Sequence, residues 1–179
     1  NIIFLIGITL LIIPQTRQPI QIALHSIISR FGPSVIDIND RTKIAYAPWT
    51  LQSLDGNRLN YRDTKGKVVF INLWATWCPP CIAEFQGIQD LYDDYKDKVA
   101  FVFVTSEKLN TVETFFNDKG YNLPVYNSVT IPPNKFTETN SIPASYLIDI
   151  NGNIRISKVG AANWNSEKVR SLLDSLLKK

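Results

Sequence analysis

The chain of 179 residues has no methionine, a single histidine and only two cysteines. A structural zinc site takes four Cys, His or carboxylate ligands. With two cysteines and His25 alone, a zinc-binding reading lacks ligands. His25 reads as an ordinary surface or interface histidine without a chemical role. The formal net charge is only +3, and the nineteen Lys and Arg are dispersed, with no basic run beyond Lys178-Lys179. That excludes the charge footprint of a nucleic-acid-binding protein, and most of these charges read as a solvated face. No apolar run reaches the ~20 residues needed to span a bilayer. Ile2 to Ile13 is apolar except for Gly7 and Thr9, and it ends at Pro14. Because methionine is missing even from position 1, the natural N-terminus is expected to be absent. Residues 1–14 then read as a truncated membrane anchor, or else as the apolar part of a signal peptide. No small-x-small cleavage site follows soon after Ile13, which favours the uncleaved anchor.

The apolar content of 45%, with 11% aromatics, suffices for one packed domain plus an appendage. The chain is organised around Trp74-Ala75-Thr76-Trp77-Cys78-Pro79-Pro80-Cys81, which holds both cysteines. Val68 to Leu73 before it reads as a buried strand. Phe85, Ile88, Leu91, Tyr92 and Tyr95 after it recur at helical spacing. The cysteines therefore sit where a strand turns into a helix, and Cys-x-x-Cys in that place reads as a redox pair. A helix N-terminus stabilises a thiolate and lowers the pKa of the first cysteine. Pro79 and Pro80 remove the two nearest N–H groups, leaving those of Cys81 and Ile82 as expected donors to the Cys78 sulfur. A less stabilised thiolate makes a more reducing pair. A purely structural disulfide is the bland alternative, but so short a loop constrains the unfolded chain little.

The segment Trp-Ala-Thr-Trp-Cys-Pro-Pro-Cys-Ile-Ala-Glu-Phe closely resembles the active-site segment of the TlpA/ResA-like thiol–disulfide oxidoreductases. Ser141-Ile142-Pro143-Ala144-Ser145-Tyr146-Leu147-Ile148-Asp149 resembles that family's cis-proline segment and the strand after it. The resemblance covers roughly residues 48–179. It implies an α/β, thioredoxin-like fold: a central mixed β-sheet flanked by helices, with an N-terminal β-hairpin extension.

The rest of the chain fits that plan. Ile20, Leu24, Ile27, Ile28 and Phe31 mark one face of a short helix within a 15–47 helix-and-linker region, ended by Gly32-Pro33. That face could rest on a membrane interface or on the domain. Val35 to Asn39 alternates like a short edge strand. Pro48–Leu54 and Arg58–Tyr61 flank a hairpin signal at Asp55-Gly56-Asn57. Val99 to Thr105 is a second buried strand. Thr111 to Lys119 is a helix stopped by Gly120. Leu123 to Tyr126 is a short strand, and residues 128–140 are a loop or irregular helix. Ala144–Ile150 and Asn153–Lys158 pair across Asn151-Gly152. Glu167 to Leu177 closes as an amphipathic helix capped by Asn165 or Ser166.

The expected chemistry is disulfide exchange. Cys78, exposed at the helix tip, is the nucleophile, and Cys81, one turn inside, resolves the mixed disulfide. Glu84 follows Cys81 by three positions on the same helix face. The resemblance places the family's buried acid there, whereas ordinary thioredoxins carry it on the preceding strand, here at Asn72. The bland reading of Glu84 is a carboxylate favoured by the helix dipole. By the same resemblance Pro143 is cis and presents the Ile142 backbone to an extended substrate. Trp77, Pro79, Pro80, Ile142 and Pro143 are the expected substrate-binding residues, while Trp164 reads as packing. No cofactor or metal is expected. The expected partners are a protein thiol or disulfide substrate, a membrane donor of reducing equivalents, and the membrane itself. The resemblance implies a periplasmic reductase held on the inner membrane, with cytochrome c maturation as one family role. A disulfide oxidase would use the same residues. A peroxiredoxin-like peroxidase wants Thr or Ser three residues before its cysteine, where Cys78 has Ala75. A non-catalytic, membrane-tethered binding module would not need the Cys pair.

Overall fold

The computed structural model describes residues 19–24 and 31–178. Its regular elements are β1 (Thr50–Ser53), β2 (Arg58–Asn60), β3 (Val68–Leu73), α1 (Pro79–Tyr95), β4 (Val99–Thr105), α2 (Leu109–Lys119), β5 (Val125–Ser128), β6 (Ala144–Ile148), β7 (Ile154–Val159) and α3 (Glu167–Leu177). The strands form one mixed sheet in the order β2-β1-β5-β4-β3-β6-β7. β3 is near its centre, parallel to β4 and antiparallel to β6.

The chain steps from β3 to β4 to β5 in one direction, all parallel. Right-handed crossovers then put α1 and α2 on the same face. Successive side chains of β3 point to opposite faces, so its unbroken apolar run serves two cores. Val68 and Phe70 pack with Phe85, Ile88 and Leu91 of α1, Phe116 of α2 and Leu173 of α3. Val69 and Ile71 pack on the other side with Trp49, Tyr61, Phe136 and Tyr146. Among the described residues this second face is covered by turns and coil, not by a long helix. The stretch 33–47, expected as linker, contributes here: Ile44 is buried among these aromatics, and Ile36 and Tyr46 pack against them.

Several local expectations are corrected. Val35–Asn39 is not a strand. Ile36 N–H makes one ladder-like bond, to the Arg155 carbonyl (2.8 Å). The Asp37 carboxylate then accepts from Asn39 N–H and turns Ile38–Asp40 into a 3₁₀ turn. Side chains of this kind compete with ladder bonding for the backbone. β6 and β7 are joined by a five-residue loop, not across Asn151-Gly152 alone, because Ile148 pairs with Ile154. A type I′ turn needs two residues at positive φ, and only Gly152 has one (84°). The Asp149 carboxylate holds the loop by accepting from Asn151 and Asn153 N–H, each at 3.0 Å. Tyr46 and the Ile44 carbonyl press so close that a Cβ on Gly152 would meet them at 3.2 and 3.1 Å. α3 begins at Glu167 with Ser166 as its N-cap residue, as expected, but the Ser166 hydroxyl makes no capping bond. Gly120 ends α2 in the left-handed conformation (φ 72°), as expected.

Residues 19–24 are helical. Ile20 and Leu24, and Phe31 beyond, are exposed. His25, Ile27 and Ile28 lie outside the described residues, as does the apolar run 1–14. Among the described residues no helix is long and apolar enough to cross a membrane.

Candidate active site

The sequence Cys-Pro-Pro-Cys starts α1 because each residue suits its place. Cys78 is the N-cap, with extended backbone, and Pro79 and Pro80 occupy the first two helical positions. There a missing N–H costs least. Cys78 and Cys81 are joined in a disulfide. Cys81 N–H donates to the Cys78 sulfur at 3.3 Å. Ile82 N–H, the second donor the sequence leads one to expect, does not bond the sulfur; it donates to the Cys78 carbonyl at 3.1 Å. That carbonyl is the ordinary helical acceptor four residues back, so one backbone donor serves the sulfur where two were expected.

Cys78 is not exposed in this oxidised state, contrary to expectation. It is 2% exposed and Cys81 0%. In the disulfide the Cys78 side chain lies in the buried cluster with Trp74, Ala75 and Phe85. The exposed group at the helix tip is Trp77, at 66%.

Glu84 stands one turn beyond Cys81 and is 2% exposed. A glutamate placed only for the helix dipole would remain in water. Its Oε1 accepts from Asn72 Nδ2 at 2.8 Å. Its Oε2 accepts from Ala162 N–H at 3.2 Å and from the Trp164 indole N–H at 3.1 Å. Burial pushes its pKa from an ordinary 4.5 up to about 8, while these three bonds and the Lys158 charge pull it back. The result is a carboxyl that titrates near neutrality, which suits proton transfer. Asn72 also donates to Ser145 Oγ at 2.8 Å, tying the acid to β6.

The position of the acid in ordinary thioredoxins is thus filled by an amide that serves the acid on the helix. Trp164 was expected to be packing. It packs against Phe70 and also binds Glu84. Nothing in the sequence signals the Ala162 N–H, which reaches Glu84 from 78 residues away.

The Ile142–Pro143 peptide is cis. Leu73 pairs with Ala144 across the sheet, which puts Pro143 opposite Trp74 at the start of the active-site turn. Ile142 and Trp77 share one open groove of about 420 Å³, together with Ala75, Ser106, Asn127 and Ser128. Pro79 and Pro80 are half-buried on the first turn and Pro143 is buried; none of the three lines that groove. Among the described residues no three His, Cys, Asp or Glu side chains converge to hold a metal ion.

A cysteine pair at a helix tip, with a buried carboxyl on the same helix packed on a thioredoxin-like sheet, suits thiol–disulfide exchange, and the chain is an enzyme of the thiol–disulfide oxidoreductase class. Residues 40–176 match the Redoxin family, to which the chain belongs. It is 31% identical over 136 residues to the thiol-disulfide oxidoreductase ResA of Bacillus thuringiensis (strain Al Hakam), covering 73% of each chain. It is 33% identical over 116 residues to the thioredoxin-like protein YneN of Bacillus subtilis (strain 168), covering 63% of this chain and 68% of that one. Its fold is similar to that of a DsbF homologue from Corynebacterium diphtheriae, with a TM-score of 0.62 at 21% identity over 80% of this chain and 92% of that one.

Proposed function

We propose that the enzyme is an extracytoplasmic reductase of protein disulfides, tethered to the inner membrane by residues 1–14. The observation that carries the mechanism is Glu84, caged by Asn72, Ala162 and Trp164 on the cysteine-bearing helix. In the reduced enzyme the Cys78 thiolate attacks one sulfur of a substrate disulfide and expels the other as a thiolate. The Cys81 thiol then gives its proton to Glu84 and attacks the Cys78 sulfur. The Cys78–Cys81 disulfide forms and the second substrate thiolate leaves. Two electrons pass from the enzyme pair to the substrate, and a membrane donor of reducing equivalents must restore them. Trp77, Pro79, Pro80, Ile142 and Pro143 form the substrate-facing surface, over which an extended segment of the substrate lies. The disulfide of apocytochrome c, which must be reduced to thiols before haem attachment, is one substrate of suitable chemistry.

The apolar run Ile2–Ile13 supports the tether, and disulfide chemistry of this kind suits an oxidising compartment. Labelling intact cells with a membrane-impermeant maleimide, after mild reduction, tests the location. Cys78 and Cys81 are expected to label without lysis and to stay with the membrane pellet. Labelling only after lysis contradicts the proposed compartment.

A further inference from the structure

The turn that delivers Cys78 is gripped from outside α1. Thr76 lies two residues before Cys78, in a turn closed by Cys78 N–H donating to the Ala75 carbonyl at 3.2 Å. Thr76 N–H donates to Glu107 Oε2 at 2.6 Å, and its hydroxyl donates to Glu107 Oε1 at 2.7 Å. One carboxylate thus holds both the backbone and the side chain of one turn residue. Hydrogen bonds to a charged acceptor are the short, strong kind.

Glu107 is itself braced. Its N–H donates to Thr105 Oγ1 at 3.3 Å. Asn127 Nδ2 donates to the Glu107 carbonyl at 3.0 Å and to the Thr105 carbonyl at 2.6 Å. Asn127 belongs to β5. A continuous chain of hydrogen bonds therefore runs from the strand inserted beside β4, through the β4–α2 corner, to the residue two before Cys78. Trp77, the next residue in the turn, is largely exposed and does not supply such a brace.

We propose that Glu107 is a positioning residue for disulfide exchange: through Thr76 it fixes the turn so that the Cys78 sulfur meets an incoming disulfide in the reactive orientation. The proposal rests on Cys78 being the attacking thiol. Orientation of the attacking group governs such rates, and a small misplacement costs a large factor.

The test is the second-order rate constant of the reduced enzyme with a small disulfide, measured beside the thermal midpoint. Glu107→Ala is expected to react about tenfold more slowly. Glu107→Gln is expected to stay within about threefold of wild type, because its amide can accept from Thr76 N–H and donate to Thr76 Oγ. Rescue by the conservative variant is what a loss of bulk stability alone would not produce. Thr76→Val keeps the side-chain shape and removes only the hydroxyl bond. It is expected to slow the reaction about threefold, and it decides the matter should Glu107→Ala fail to fold. Glu107→Ala reacting at the wild-type rate, Glu107→Gln as slow as a folded Glu107→Ala, or an unaffected Thr76→Val would each overturn the proposal. Cys78→Ser run alongside separates the two ideas: if it still exchanges, the nucleophile assignment fails, whatever Glu107 does.

Discussion

Cys78→Ser is expected to lower the rate of protein-disulfide reduction by a factor of about a thousand or more, because a serine hydroxyl stays protonated at neutral pH and is a poor nucleophile toward sulfur. Cys81→Ser is expected to behave differently. It keeps the first attack and loses the resolving step, so a mixed disulfide between Cys78 and the substrate accumulates. Mass spectrometry of the trapped adduct after non-reducing separation reads both outcomes. The asymmetry comes from the helix start. Cys78 is the N-cap, at the chain's entry to the helix, and the Cys81 N–H already points at its sulfur. Cys81 lies inside the first turn and is wholly buried, with α1 closing over it. An adduct found on Cys81 would reverse the two roles.

Glu84→Gln is expected to slow the resolving step by about a hundredfold, the lower end of what general acid–base catalysis contributes. The glutamine fills the same space, and its carbonyl oxygen can still accept from Ala162 N–H and Trp164, while its NH2 replaces the oxygen that accepted from Asn72, so the proton acceptor is lost with little change in shape. The pH dependence carries a sign. The base must be ionised to take the Cys81 proton, so the wild-type rate should rise as pH rises through about 8 and level off above it. In Glu84→Gln the inflection near 8 should disappear. Stability changes in the opposite sense. The folded enzyme holds a proton on Glu84 that the unfolded chain releases above its ordinary 4.5. The stability linked to this group is fully present below 4.5 and is lost as pH rises through about 8. Denaturant titrations of wild type against Glu84→Gln should therefore diverge as pH rises across that window. A wild-type rate and stability that track the variant at every pH would remove Glu84 from the mechanism.

Much of the active site can be read from short-range pattern. The apolar run before Trp74 and the helical spacing after Cys81 locate a strand-to-helix corner. The Cys pair and Glu84 follow on the helix, and the β3–β6 register brings the Ile142-Pro143 step to the same corner. What the pattern misses is contributed over long separations or by individual side chains. The Ala162 and Trp164 N–H groups reach Glu84 across 78 and 80 residues, and no local periodicity reports them. Glu107 is an unremarkable acid after a strand until the β4–α2 corner brings it to Thr76. Val35 to Asn39 alternates like a strand, yet Asp37 turns the backbone away. Asn151-Gly152 resembles a two-residue turn, yet Asp149 gathers a five-residue loop and Tyr46 packs on the glycine. Cys78 reads as exposed because helix tips usually are. In the disulfide its side chain is buried, and Trp77 is the exposed residue of the turn.

Equilibrating the Cys78–Cys81 pair against glutathione or thioredoxin gives its reduction potential, and with it the direction of electron flow. Two prolines leave a single backbone N–H at the Cys78 sulfur, so the thiolate is modestly stabilised and the pair should be reducing. The expected value lies near that of thioredoxin, about −270 mV. A value nearer −120 mV, the range of a strong oxidant, would mean that the enzyme makes disulfides and would contradict the reductase assignment.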